Sequence, residues 1–185
     1  MSIVFITGGA RSGKSRFAEK LAREAGIRVV YIATAQALDE EMAHRISIHR
    51  QRRPETWKTI EEPLHLSKVL SEICGDADFS KYDAVLVDCM ALFTSNWICS
   101  AEIEGIEQQE SLRKALLQEI ENAISAARVL EKKVIIVSNE VGMGLVPEYP
   151  LGRIYRDLLG EINQMLAAAA DEVYFLVSGI PMKLK

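Results

Sequence analysis

Two stretches of this 185-residue chain hold the residue types that do chemistry, at spacings that suit it. The first is Gly8-Gly9-Ala10-Arg11-Ser12-Gly13-Lys14-Ser15, the pattern G-x-x-x-x-G-K-S, directly after the apolar run 3–6. Glycines so spaced let the backbone wrap closely enough for its N–H groups to converge on phosphate oxygens. Lys14 would reach the β- and γ-phosphates, and the Ser15 hydroxyl would be offered to Mg²⁺. A helix starting at Lys14 would turn its positive end toward the same anion. The duller reading is a glycine turn that happens to precede a lysine. A strand before it and a helix after it weigh against that, and the stretch predicts a bound nucleoside triphosphate.

The second stretch is 39–53, a predicted helix with Asp39 as N-cap and Pro54 as its stop. At about 100° per residue, Met42, Ile46 and His49 share one stripe, with Arg45 and Arg53 flanking it and Arg50 and Arg52 fanning outward. His44 lies about 140° away on another face and is expected to meet solvent. Guanidiniums here would neutralise phosphate charge and present paired donors. An imidazole that is neutral near pH 7 is a competent nucleophile toward phosphorus. From spacing alone, however, a histidine on an apolar stripe is more often a packing residue, and both readings stand.

Single residues add to these. Asp88 closes the apolar run 84–87, where a carboxylate can hold the Mg²⁺ that Ser15 also serves, or simply cap a turn. Glu61 and Glu62 follow a short predicted strand; either could accept from a ribose or a guanine edge, although exposed glutamates are common. Asn139 and Glu140 follow the run 134–137. Glu140 would take the proton of an attacking hydroxyl or, equally, tie down the Gly/Pro-rich loop 142–150. Trp57 and Trp97 are expected to pack in the core or at an interface.

The elements that must position these groups are the apolar runs 3–6, 84–87, 134–137 and 173–177 and the β-rich run 28–33, alternating with amphipathic segments. Helices are predicted at 14–25, 39–53, 64–74, 106–130 and 153–170, a short strand at 57–61, and a tail at 181–185. The apolar stretch 90–100 carries no decisive period. Unbroken apolar strands between helices predict an α/β fold with a mostly parallel central sheet, helices on both faces, and ligands at the carboxyl ends of the strands. Gly8 to Ser15, Thr34, Asp88, Asn139, Glu140 and Gly179 all follow predicted strands, so they should line one edge of a single domain, 1–185.

A formal net charge of −4 argues against a general nucleic-acid binder. Three cysteines without metal-ligand spacing suit reduced thiols, and no apolar stretch approaches a membrane span. The expectation is a cytoplasmic protein.

With these residues in place, the segments TGGARSGKS, YIATAQ, DEEMAHRISIHRQRRPETWKTIE, VLVDC and NEVGMGLVPEYPLGRIYRDLLGEINQ together resemble the bifunctional adenosylcobinamide kinase / adenosylcobinamide-phosphate guanylyltransferase family, over nearly the whole chain. The resemblance implies a three-layer P-loop NTPase fold of RecA-like type and a homotrimer. It implies that ATP or GTP phosphorylates adenosylcobinamide, and that GMP passes from GTP to adenosylcobinamide phosphate through a guanylyl-histidine. The R-I-x-x-H pattern puts that histidine at His49. Nucleotide contacts map onto Gly8 to Ser15, onto Ala33, Thr34 and Ala35, onto Arg50, Gln51, Arg52 and Arg53, and onto Glu61. Asp88 stands where some relatives carry glutamate. Two other classes remain to be weighed: a plain small-molecule kinase, in which His49 only packs, and a RecA-like motor acting on nucleic acid, which the acidic balance disfavours.

Overall fold

The computed structural model describes residues 2–51 and 53–185, apart from the side chain of Arg45. Continuous apolar runs form the central strands β1 (Ser2–Gly8), β2 (Val29–Ala33), β4 (Ala84–Asp88) and β5 (Lys133–Val137). They are flanked by β3 (Lys58–Glu61), β6 (Glu172–Val177) and β7 (Ile180–Lys183) in one sheet of order β3-β2-β4-β5-β1-β6-β7. Every pairing is parallel except β6 with β7. β5 therefore lies between the strand that feeds the glycine loop and the strand that ends in Asp88.

Alternate residues of each strand face opposite sides, as the pleat requires. Val4, Ile6, Tyr31, Leu86 and Ile135 meet α1 (Lys14–Ala25) through Ala18 and Ala22. Phe5, Ile32, Val85, Val87 and Ile136 meet four helices on the other side: α3 (Leu66–Gly75), α4 (Met90–Ser100), α5 (Ile106–Val129) and α6 (Pro150–Ala169). Both faces are covered, as the apolar runs predicted, but unequally. Leu116 and Ile120 on α5 are fully buried, and each such burial contributes about 1.5–3 kcal/mol relative to exposure.

Three local readings change. Residues 90–100 are helix α4, and they lack a clear period because none of 90–98 is exposed: Met90, Ala91, Phe93, Thr94 and Ile98 share one buried face, and Leu92 on the opposite side is half-buried. Residues 181–185 are no tail: β7 pairs antiparallel with β6 across the Ser178-Gly179 turn, whose φ values of 52° and 84° suit a tight hairpin. All four β7 residues are exposed, so the alternation of Ile180 and Met182 with Pro181 and Lys183 turns no face toward the core. The helix predicted at 39–53 is α2 (Glu40–Gln51), and none of its described residues is buried.

Candidate functional site

The parallel register brings the carboxyl ends of β1, β2, β4 and β5 together. Ile6 pairs with Val137, Ala33 with Asp88, and Asp88 with Val137. The expected alignment of Gly8, Thr34, Asp88 and Asn139 along one edge follows from that register.

The glycine loop is strapped down from two sides. Gly179 N–H donates to the Ser12 carbonyl at 2.9 Å, and Glu140 N–H to the Gly8 carbonyl at 2.9 Å. Gly8 has φ +148°, and a Cβ there would fall 2.5 Å from the Leu176 carbonyl oxygen; Gly13 has φ +95°, with Gly179 Cα 3.2 Å from its would-be Cβ. These two glycines are required by backbone closeness, not by flexibility. Lys14, only 7% exposed, folds back to donate from Nζ to the Gly9 carbonyl at 2.7 Å. Burial lowers the pKa of this ammonium, an effect that nearby Cys89 and Asp88 oppose. Ser12 Oγ is buried without a partner, a donor left for an anion held by the loop. Gly9, Ala10 and Arg11 are exposed at its rim, and Ser15 is half-buried.

Asp88 is held by the phenol of Tyr31, whose Oη donates to Asp88 Oδ2 at 2.8 Å. Behind it, the buried Thr34 stitches β2 to β4. Its N–H donates to the Asp88 carbonyl at 3.2 Å, its hydroxyl donates to the Cys89 carbonyl at 2.7 Å, and the same hydroxyl accepts from Cys89 N–H at 2.8 Å. Asn96 on α4 donates from Nδ2 to the Thr34 carbonyl at 2.7 Å and so fixes where residues 34–35 leave the sheet. Among the described residues, no group of three or more His, Cys, Asp or Glu could hold a metal ion. A cation here would need oxygens from a phosphate. The Ser15 hydroxyl and Asp88 carboxylate are the hard oxygen donors that Mg²⁺ takes in ones and twos beside phosphates, and they fit that role.

His49 is half-buried on α2 and His44 is exposed. The stripe of Met42, Ile46 and His49 is only partly covered, so the packed face expected from its spacing is half-formed. α2 is anchored near its ends: Asp39 Oδ1 accepts from Met42 N–H at 2.7 Å, and Arg50 pairs with Glu61. Arg53 places its guanidinium 3.5 Å from the Tyr31 ring centroid and donates from Nη1 to Thr59 Oγ1 at 3.1 Å. Gln51 is exposed, and Arg52 lies outside the described residues. Between α2 and the strand ends is a cavity of about 490 Å³ lined by Ala35, Gln36, Ile46, Arg50, Glu61 and Pro63. An open groove of about 1000 Å³ runs along the other side of the loop beside Gly13, Arg16, Phe17, Lys20 and Gly179.

Glu140 Oε1 accepts from Gly142 N–H, so one of its oxygens does tie down the following loop. Asn163 on α6 supports the same segment, accepting from the Ser138 hydroxyl at 2.6 Å and donating to the Asn139 carbonyl at 2.9 Å. Trp97 packs beside Phe93 and donates from Nε1 to the Leu64 carbonyl at 3.0 Å, and Trp57 is buried beside Tyr31, as packing residues. Nothing in the residue pattern assigns a contact to Tyr31 or Asn96. Tyr31 reads as one more apolar strand residue, and only its register two places before Ala33 points to Asp88.

The model of the family described as cobinamide kinase / cobinamide phosphate guanyltransferase matches residues 4–184. The chain is 43% identical to the bifunctional adenosylcobalamin biosynthesis protein CobU of Escherichia coli K12, over 99% of each chain. It is 44% identical to that of Salmonella typhimurium LT2, again over 99% of each. With CobP of Pseudomonas aeruginosa PAO1 it shares 43% identity, covering 97% of this chain and 95% of the relative. Among solved structures, the RadB recombinase superposes with a TM-score of 0.53 at 17% identity, over 94% of this chain and 73% of that one. That likeness shows the RecA-like α/β fold alone.

Proposed function

This chain belongs to the cobinamide kinase / cobinamide phosphate guanyltransferase family, and from that membership we propose that a single phosphate-loop site carries both reactions. In the first, the substrates are adenosylcobinamide and ATP or GTP. The aminopropanol hydroxyl oxygen attacks the γ-phosphorus, the bond to the β,γ-bridging oxygen breaks, and the nucleoside diphosphate leaves. Glu140, with one oxygen engaged by Gly142, has its second available to take the hydroxyl proton.

In the second, an imidazole nitrogen of His49 attacks the α-phosphorus of GTP and pyrophosphate departs, leaving a guanylyl-histidine. A phosphate oxygen of adenosylcobinamide phosphate then attacks that phosphorus, the P–N bond breaks, and adenosylcobinamide-GDP is released with the imidazole restored. Lys14 and the loop N–H groups of residues 8–15 would neutralise charge on the β- and γ-phosphates in both reactions. Ser15 and Asp88 would hold Mg²⁺, which supplies further charge neutralisation on the same oxygens when bound. Arg50 and Glu61, with Ala33, Thr34 and Ala35 behind them, would seat guanosine in the α2 cavity. Gln51, Arg52 and Arg53 would complete that side. We extend the reading to a homotrimer working in the cytoplasm; no helix among the described residues is long and apolar enough to cross a membrane.

The observation that carries this reading is the shared edge: the loop, Asp88 and the α2 cavity all open where adjoining parallel strands end. Incubation with GTP followed by intact mass measurement is expected to reveal a GMP-sized, acid-labile increment. His49→Ala should abolish it while some kinase activity remains. A protein that phosphorylates its substrate but never acquires the increment would be the plain kinase instead.

A further inference from the structure

The contacts around Tyr31 join two parts of the site that the sequence keeps far apart. On one side of the ring, the hydroxyl donates to Asp88 Oδ2 at 2.8 Å, which occupies one carboxylate oxygen and leaves Oδ1 for a cation or its water. On the ring face, the Arg53 guanidinium stacks at 3.5 Å from the centroid, close enough for a strong cation–π contact in this largely desolvated position. The ring is itself 2% exposed and wedged against Trp57, centroid to centroid 6.3 Å. It has little freedom to follow either neighbour.

Arg53 follows the end of α2, and its N–H donates to the Arg50 carbonyl at 3.2 Å, continuing the last helical turn. With Nη1 on Thr59 Oγ1 and the guanidinium plane on Tyr31, the Arg53 Nε is a buried donor without a partner. Since α2 has no described buried residue, its C-terminal end is located by such end contacts, not by a packed face. His49 is one turn back from Arg53.

We propose that Tyr31 is a positioning residue that fixes the Asp88 carboxylate with its hydroxyl and, through the stacked Arg53, the C-terminal end of the His49 helix with its ring, so that metal site and nucleophile share one anchor. This rests on the assignment of Asp88 to the metal and of His49 to the guanylyl group. The hydroxyl and the ring then have separable roles. Losing the hydroxyl should loosen the metal carboxylate, and losing the stack should displace the nucleophile.

Tyr31→Phe keeps the ring under Arg53 and removes only the hydroxyl. Binding of a fluorescent mant-GDP, measured with and without Mg²⁺, is expected to lose roughly 10-fold or more of its Mg²⁺-dependent enhancement, with Mg²⁺-free affinity unchanged. Arg53→Gln removes the stack, and the rate of His49 labelling at saturating α-³²P-GTP should fall roughly 10-fold or more, whereas loss of a nucleotide contact alone would raise the GTP concentration needed and leave that rate normal. In Tyr31→Leu, which loses both, the two defects should appear together, and adding Arg53→Gln should slow labelling no further. A Tyr31→Phe protein with a lowered melting temperature but normal Mg²⁺ enhancement would overturn the proposal, as would normal labelling in Arg53→Gln. If wild-type protein is never labelled on His49, the assignment of His49 fails instead, and that outcome is distinct from either.

Discussion

The glycine loop and helix α2 are built on opposite principles, although both would serve the same triphosphate. The loop is held by backbone: Gly8 and Gly13 lie against Leu176 and Gly179, two N–H groups clamp it, and Lys14 and Ser12 are buried within it. α2 lies on the surface without a described buried residue, tied by Asp39 at one end and by the Arg50–Glu61 and Arg53–Tyr31 contacts at the other. A grip on phosphates must be the same whichever phosphorus is attacked. A nucleophile needed in only one of two reactions can be carried on a more loosely held element, because the other reaction has to proceed past it.

The sharpest way to break this contrast is at Lys14, the group both reactions would share. Lys14→Ala is expected to lower both phosphoryl transfer and His49 guanylylation by roughly 10²–10³-fold, the usual scale for removing one charge-stabilising donor. Full guanylyl transfer in that variant, measured with α-³²P-GTP, would mean that two separate grips exist. A smaller effect tests the loop's rigidity. Gly8→Ala sets a Cβ 2.5 Å from a strand carbonyl at a φ of +148°, so urea unfolding should reveal a loss of about 1–3 kcal/mol. Gly9 is the control: a Cβ there meets nothing within 4 Å, and Gly9→Ala should stay within about 0.5 kcal/mol of wild type.

The same division decides what could be read from the sequence. The loop was legible because its chemistry is written in consecutive residues, 8–15, between a strand and a helix. The central strands were legible because burial on both faces leaves unbroken apolar runs such as Ala84-Val85-Leu86-Val87. α4 resisted because its far side is half-buried too, so apolar Leu92 stands opposite the buried face and no polar face gives it a period. β7 was invisible because an exposed edge strand is specified by its hairpin turn and by backbone pairing with β6, neither of which constrains its side chains. The sequence places Asp88 at the end of one strand and Glu140 after another, and both are found there. Tyr31 gives no such sign, because its contact with Asp88 comes from cross-strand register and its stack from Arg53, 22 positions later in the chain. The α2 stripe was read as more deeply packed than it is: spacing shows which residues share a face, but not whether anything covers that face.

A small effect is therefore expected on α2 itself. Ile46 lies on the stripe and lines the 490 Å³ cavity, yet it is only half-buried. Ile46→Ala should change the stability of the free protein by less than about 1 kcal/mol, because little apolar surface returns to water and no closed void is made. Leu70 on α3, 1% exposed in the main core, sets the scale for a helix that is integral to the fold, and Leu70→Ala should cost about 2–5 kcal/mol. Chemical denaturation of the two variants side by side decides the point. If Ile46→Ala were as damaging as Leu70→Ala, α2 would be packed as firmly as the sheet-covering helices, and the nucleophile would be fixed no less rigidly than the phosphate grip. If the cost is small while the KM for GTP in guanylylation rises, Ile46 belongs to the ligand's seat and not to the core, which is what a half-covered stripe beside an open cavity requires.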